Sequence, residues 1–355
     1  MKGIKPQQIF RQLITILIVA SMILGYWWIN SPSIISAQVT SPDAWQKARL
    51  FGNFYEHTGP VASIAMNPDG KTFASGGRDG LIRIWDLQTG KLVKTISADA
   101  RGIGSIVITP NGKQIISSSR CQNLYIWDFQ TGELIQTLGK DVQPREYKTY
   151  STYPITLAYS VYPLAISPDH KTLISGRPDH GIKVWDLKTG ELIRTLKGHE
   201  YPIYGVAISP DGKTLASAGA DATVKIWNLE TETLTRTLTE HSYPVNSVAI
   251  SPDGKTLASA SADATVKIWN LETGELRYNL AGHTYAVLCV AISPDGKIVA
   301  TGGADETIKI WNLATGKLVK SLSGVKSKVY TIAFSRDGQS LVSGGGEGKV
   351  KIWRI

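Results

Sequence analysis

A tryptophan that keeps returning constrains this chain more than any other feature. Trp85, Trp127, Trp185, Trp227, Trp269, Trp311 and Trp353 follow one another at intervals of 42, 58, 42, 42, 42 and 42 residues, and 58 is one period of 42 plus a 16-residue insertion. Self-similarity at a fixed period marks a stacked array, and a period near 42 is that of a four-stranded propeller blade. Within one unit, residues 191–229, the strands can be read directly. ELIRTL alternates, Ile203 to Ser209 (IYGVAIS) is an apolar run, Lys213 to Ser217 gives a third strand and Thr223 to Leu229 a fourth. Pro210-Asp211-Gly212 is a tight turn, because proline presets φ and glycine accepts the left-handed position. No helical spacing appears beyond residue 45, so the expected fold class is all-β: a seven-bladed β-propeller of four-stranded antiparallel blades.

Composition narrows the function classes. Hydrophobic residues make up 42% and charged residues 19%, which is globular material and not a disordered chain. Two cysteines cannot frame a disulfide fold or a cysteine-rich metal module. The net charge of +9 is spread along the chain and forms no nucleic-acid tail.

Residues 1–37 have the layout of an export address. Lys2, Lys5 and Arg11 precede an uncharged stretch from Leu13 to Ile29, and Ala37-Gln38 offers a small residue at a cleavage point. A bilayer crossing needs about 20 apolar residues, with a lower limit near 17, so the same segment suits an uncleaved signal anchor. Trp27 and Trp28 fit an interfacial belt. Either way one hydrophobic helix precedes the propeller, whose expected location is the non-cytoplasmic side: periplasm, lumen or cell surface. The division is therefore 1–37 signal or anchor, 38–45 linker and 46–355 propeller, with an insertion over about 139–156.

The repeat resembles the WD-repeat family of β-propellers, of the bacterial type with an N-terminal export signal or membrane anchor. It covers residues 46–355 and rests on Gly198-His199 and Gly282-His283, on Trp-Asp at 85–86, 127–128 and 185–186, and on Trp-Asn at 227–228, 269–270 and 311–312. The last unit stops at Trp353-Arg354-Ile355, the end of its third strand. Arg49 to Phe54 aligns with Glu191 to Leu196, so this N-terminal strand is expected to complete the seventh blade and remove the open sheet edges.

The resemblance implies an internal network in which the Trp indole meets a hydroxyl, the hydroxyl a His and the His an Asp. Blades 1, 4, 5 and 6 carry all four members: His57, Ser75, Asp79 and Trp85; His199, Ser217, Asp221 and Trp227; His241, Ser259, Asp263 and Trp269; His283, Thr301, Asp305 and Trp311. Blades 2, 3 and 7 lack the His, and that side of the ring is expected to be looser. A catalytic Ser-His-Asp role is disfavoured, since an enzyme needs one such set and here it recurs in four blades. The histidines belong to different blades and should not converge on a metal. No cofactor, metal or catalytic residue is assigned.

The departures from the repeat are aromatic and basic. Two residues after the His position stand Arg101, Tyr159, Tyr201, Tyr243 and Tyr285 in blades 2 to 6; three further on, Tyr204 joins them from blade 4. Just before the Asp position, Arg78 and Arg120 mark blades 1 and 2. Tyr combines large contact area with a hydroxyl, which favours it at recognition surfaces. The expected function is a non-catalytic scaffold binding a protein or peptide, preferably acidic, on the top face, with no nucleic acid as partner. The propeller is expected to be monomeric within a larger complex, with membrane contact through the N-terminal helix if uncleaved. Alternatives are a glycan-binding protein or enzyme using the central channel, and a structural assembly subunit of an envelope complex.

Overall fold

The computed structural model describes residues 41–119, 123–139, 163–177 and 179–355. The expected signal or anchor over 1–37, most of the insertion, Arg120 and Tyr159 lie outside the described residues. Among the described residues, no helix is long and apolar enough to cross a membrane.

The chain folds into seven four-stranded antiparallel sheets. In six of them the strands follow chain order from the inner strand to the outer one. Blade 1 spans 61–97, blade 2 103–138, blade 3 164–197, blade 4 203–238, blade 5 245–281 and blade 6 287–322. Blade 7 is built from both ends of the described chain: Val329–Phe334, Ser340–Gly345 and Val350–Arg354 supply three strands, and Arg49–Phe54 supplies the outer one. Leu50 stands opposite Trp353 and Phe54 opposite Val350, as Leu192 stands opposite Trp185 and Leu196 opposite Ile182 in blade 3. The inner strands lie side by side around the ring, blade 7 next to blade 1.

The core sits between blades. Val224, Ile226 and Leu238 of blade 4 pack with Val245, Leu257 and Trp269 of blade 5. The closing seam packs Val61, Phe73 and Trp85 of blade 1 with Val342, Val350 and Ile352 of blade 7. Each buried side chain of this size contributes about 1.5–3 kcal/mol, so a blade that cannot present both faces to neighbours loses most of its stabilisation.

Polar latches cross the same seams. A residue of the outer strand reaches a carbonyl in the third-to-fourth-strand turn of the next blade: Lys94 Nζ to Thr131 O (2.9 Å), Gln136 Nε2 to Thr189 O (3.0 Å), Arg236 Nε to Glu272 O (3.0 Å) and Tyr278 Oη to Ala314 O (2.6 Å). Arg194 instead pairs with the Glu232 carboxylate. At the last seam, Arg354 Nη2 donates to Leu87 O (2.6 Å) and Gln88 O (2.8 Å).

The segment taken from sequence as a linker, 38–45, overlaps structure. Pro42–Lys47 is a 3₁₀ helix, opened by proline in its first turn and by Ser41, whose hydroxyl accepts from the Asp43 amide. Trp45 is fully buried, packed with Ile310, Leu322, Phe334 and Trp353, its ring edge-on to Phe334 at 5.4 Å. Blade 7 has no third-to-fourth-strand turn of its own. The 3₁₀ helix stands in that place and takes the latch of blade 6: Lys320 Nζ donates to Gln46 O (2.7 Å) and Ala48 O (2.8 Å).

Candidate functional site

One end of each blade carries two loops, the one entering the inner strand and the turn joining the second strand to the third. They are tied together by a repeated backbone bond: Arg78 N to Pro60 O, Ala220 N to Pro202 O, Ala262 N to Pro244 O, Ala304 N to Ala286 O and Gly346 N to Lys328 O, all 2.8–3.0 Å. These loops form the top face.

Beneath them, the four-residue network closes in blades 1, 4, 5 and 6. In blade 4, the Trp227 indole donates to Ser217 Oγ (2.9 Å), His199 Nε2 meets that hydroxyl (2.7 Å) and His199 Nδ1 meets Asp221 (2.7 Å). Blade 5 repeats this through Trp269, Ser259, His241 and Asp263 at 2.9, 2.8 and 2.7 Å. Blade 6 does so with Trp311, Thr301, His283 and Asp305 at 2.9, 2.8 and 2.8 Å. In blade 1, Trp85 and His57 share Ser75 (both 2.8 Å), and His57 meets Asp79 at 2.9 Å. A buried polar group left without a partner costs roughly 1–3 kcal/mol, so each ring and carboxylate is held by its neighbours.

The electrostatics follow from burial and pairing. Burial alone would raise the Asp221 carboxyl, but the hydrogen bond and charge of His199 outweigh it and lower its pKa to about 2. Asp263 and Asp305 are lowered in the same sense, against burial, through His241 and His283. Burial lowers the imidazoles of His57 and His283 against the pull of their carboxylates. These acids therefore stay ionised at neutral pH.

Among the described residues, blades 2 and 7 fill the place of the His differently, which the sequence did not disclose, and the corresponding position of blade 3 lies outside them. In blade 2, Tyr125 Oη donates to Asp99 Oδ2 (3.1 Å) and accepts from Asn123 (3.0 Å). In blade 3, the Arg177 guanidinium lies 5.7 Å from the Trp185 ring centre. In blade 7, Val325 is buried where the His would stand, and Lys351 Nζ donates to Gly324 O (3.0 Å). The signal that could have found blade 2 is Tyr125 itself: it replaces the Lys, or Arg83, found two residues before the other blade tryptophans.

The predicted top-face residues divide into two groups. Tyr201, Tyr243 and Tyr285 are 56%, 51% and 65% exposed, one on each entering loop of blades 4 to 6. Tyr201 also lies 6.3 Å from the His180 ring of blade 3. Tyr204 is half-buried at a bulge, where the inner strand slips register between Ile203 and Gly205. Bulges re-aim side chains, and blades 1, 2, 5, 6 and 7 share this one, at Ala62, Gly104, Asn246, Leu288 and Tyr330. On the other side of the ring, Arg78 is half-buried, its β-carbon against the Gly59 loop, while the Arg101 side chain is 61% exposed and 3.7 Å from Asp99.

A closed ring of seven similar blades, with exposed aromatic side chains on its loops and its recurring polar sets joined by internal hydrogen bonds, is a repeat β-propeller. The family profile of the WD domain, G-beta repeat, matches residues 48–86, 90–128, 158–186, 190–228, 232–270, 274–312 and 316–354. The chain belongs to this WD40 family. Nuclear distribution protein PAC1 of Coccidioides posadasii is 30% identical over 177 residues, 48% of this chain and 35% of that protein. Cross-pathway control WD-repeat protein 2 of Flammulina velutipes is 36% identical over 73 residues, 20% of this chain and 23% of that protein. Small ribosomal subunit protein RACK1z of Arabidopsis thaliana is 46% identical over 44 residues, 12% of this chain and 14% of that protein. The chain thus spans about a third or less of the length of these relatives.

Proposed function

We propose that this propeller is a non-catalytic platform whose top face takes a protein or peptide. The observation that carries the reading is the set of exposed tyrosines at 201, 243 and 285, presented on consecutive blades of a rigid scaffold. Aromatic groups of this kind dominate binding energy because they bury large area at low entropy cost. The relatives support it by class: one is a small ribosomal subunit protein and another a nuclear distribution protein, and neither name denotes an enzyme. The exposed Arg101, with Arg78 beside it, gives blades 1 and 2 a preference for acidic groups on the ligand. The basic, then apolar N-terminal segment supports export or tethering, so the partner is sought in the cell envelope.

The test is partner capture from envelope extract with the wild-type chain and the Tyr201→Ala, Tyr243→Ala double variant. Loss of a captured protein from the variant is expected. Retention of every partner at full yield would remove the reading.

A further inference from the structure

The two sides of the top face differ in how their acids are compensated. In blades 1, 3 and 7 the acid of the second-to-third-strand turn has a cation four residues on: Arg83 lies 2.8 Å from Asp79, Lys183 3.8 Å from Asp179, and Lys351 3.6 Å from Glu347, which Lys349 also holds at 2.7 Å. Blades 4 to 6 keep a lysine at that position, yet it does not pair with the acid. Lys225 Nζ goes to Thr237 Oγ1 (3.2 Å) and Lys309 Nζ to Ser321 Oγ (3.1 Å), both on the outer strand. The ion-pair partners of Asp221, Asp263 and Asp305 among the described residues are histidines alone.

The loops above add to the imbalance. Residues 198–202, 239–244 and 282–286, with the turns 220–223, 262–264 and 304–307, contain no Lys or Arg. They contain the exposed Glu200, Glu240 and Glu306, none of which has a cation within 4 Å among the described residues. Lys197 ends the outer strand of blade 3 one residue before the first of these loops, and the Lys309 side chain approaches Gly282. Three exposed tyrosine rings therefore stand among uncompensated carboxylates, on a chain whose net charge is +9. Aromatic faces attract cations through the ring quadrupole, and carboxylates beside them reinforce the attraction.

We propose that the top-face sector of blades 4 to 6 docks a peptide segment rich in arginine or lysine, its cationic groups lying over Tyr201, Tyr243 and Tyr285 and facing Glu200, Glu240 and Glu306. This deepens the top-face reading and rests on it: an acidic stretch of the same partner belongs over blades 1 and 2, and a basic stretch over blades 4 to 6.

The experiment is fluorescence anisotropy of the full chain with two dye-labelled probes, octa-arginine and octaglutamate, at low salt. Octa-arginine is expected to bind at least about tenfold more tightly than a folded E200Q/E240Q/E306Q variant allows, and to lose about as much in Y201A/Y243A/Y285A. The Tyr→Phe triple variant, which keeps the π faces, retains binding. Added salt weakens the interaction. Octa-arginine that does not bind, or that binds E200Q/E240Q/E306Q and Y201A/Y243A/Y285A as tightly as the wild-type chain, overturns the proposal. If octaglutamate alone binds, and is lost on R78A/R101A, the top-face reading stands and this sector's assignment falls. If neither probe binds and partner capture ignores the tyrosines, both fall.

Discussion

Blades 4 to 6 and the arc of blades 7, 1 and 2 reach one architecture with different materials. Blades 4 and 5 share SPDGKTLASA and ADATVKIWNLET and, with blade 6, run the full His network with its carboxylates paired to histidine. Blade 2 uses Asp99, Tyr125 and Asn123, blade 7 a buried Val325 and a lysine on a carbonyl, and blade 1 adds Arg83 to the standard set. The network is thus one solution to a general requirement, the satisfaction of polar groups under the loop face. What the substitutions change is charge. In blades 1 and 7 the turn acid pairs with a lysine or arginine, and in blades 4 to 6 its ion-pair partner among the described residues is histidine alone.

The largest expected effect lies at the seam between the two regions. Trp45→Ala should cost about 3–5 kcal/mol in chemical denaturation, since it empties a fully buried site shared by blades 6 and 7. Hydrogen exchange should rise in residues 49–54 and 350–354 while the seam between blades 4 and 5 stays protected. Trp45→Phe should cost far less, because it keeps the burial and removes an indole N–H that has no acceptor among the described residues. Equal exchange increases in every blade would show that the ring has no separable arc.

Acid should act on the network in two stages. The folded-state imidazoles of His57 and His283 lie below 6.5, so the unfolded chain binds more protons there and stability falls as pH drops below about 6.5. The second stage belongs to Asp221, lowered from 3.8 to about 2: its contribution is complete above about pH 4 and is lost as pH falls toward 2. Its size is about 2 kcal/mol. Melting temperature against pH for wild type and Asp221→Asn should show a flatter profile below pH 4 in the variant. Parallel profiles would remove the assignment.

The smallest effect tests strain. Ala222 and Ala264 hold φ of 61° and 65°, where blades 1 and 7 place Gly80 and Gly348. A left-handed alanine costs about 1–2 kcal/mol, partly offset by the greater freedom of an unfolded glycine. Ala264→Gly should raise stability by about 0.5–1 kcal/mol in denaturant titration. A decrease would show that the loop face of blade 5 needs the methyl group.

The sequence made the repeat legible because each strand, turn and tetrad member recurs at a fixed offset from a tryptophan. Even the borrowed outer strand was visible, since Leu50 and Phe54 fall on the pattern of Leu192 and Leu196. Features that occur once were not. Trp45 sits in a short polar stretch with no periodicity, and its burial depends on Leu322 and Phe334, nearly three hundred residues away. Tyr125 and Asp99 form a pair only once two strands of blade 2 are folded together. The top-face tyrosines were legible as positions, but the lysine partners that distinguish their sector were not, because the same Lys residue swings to a hydroxyl in blades 4 and 6 and to a carboxylate in blades 3 and 7.

The borrowed strand has a consequence for biosynthesis. Residues 49–54 leave the ribosome early, yet their pairing partners at 350–354 emerge roughly 300 residues later, a wait of about 15–60 s at ordinary elongation rates. Throughout that interval Phe51 and Phe54 have no sheet to join. Until residues 350–354 arrive, this hexapeptide is an unpaired strand exposed to aggregation.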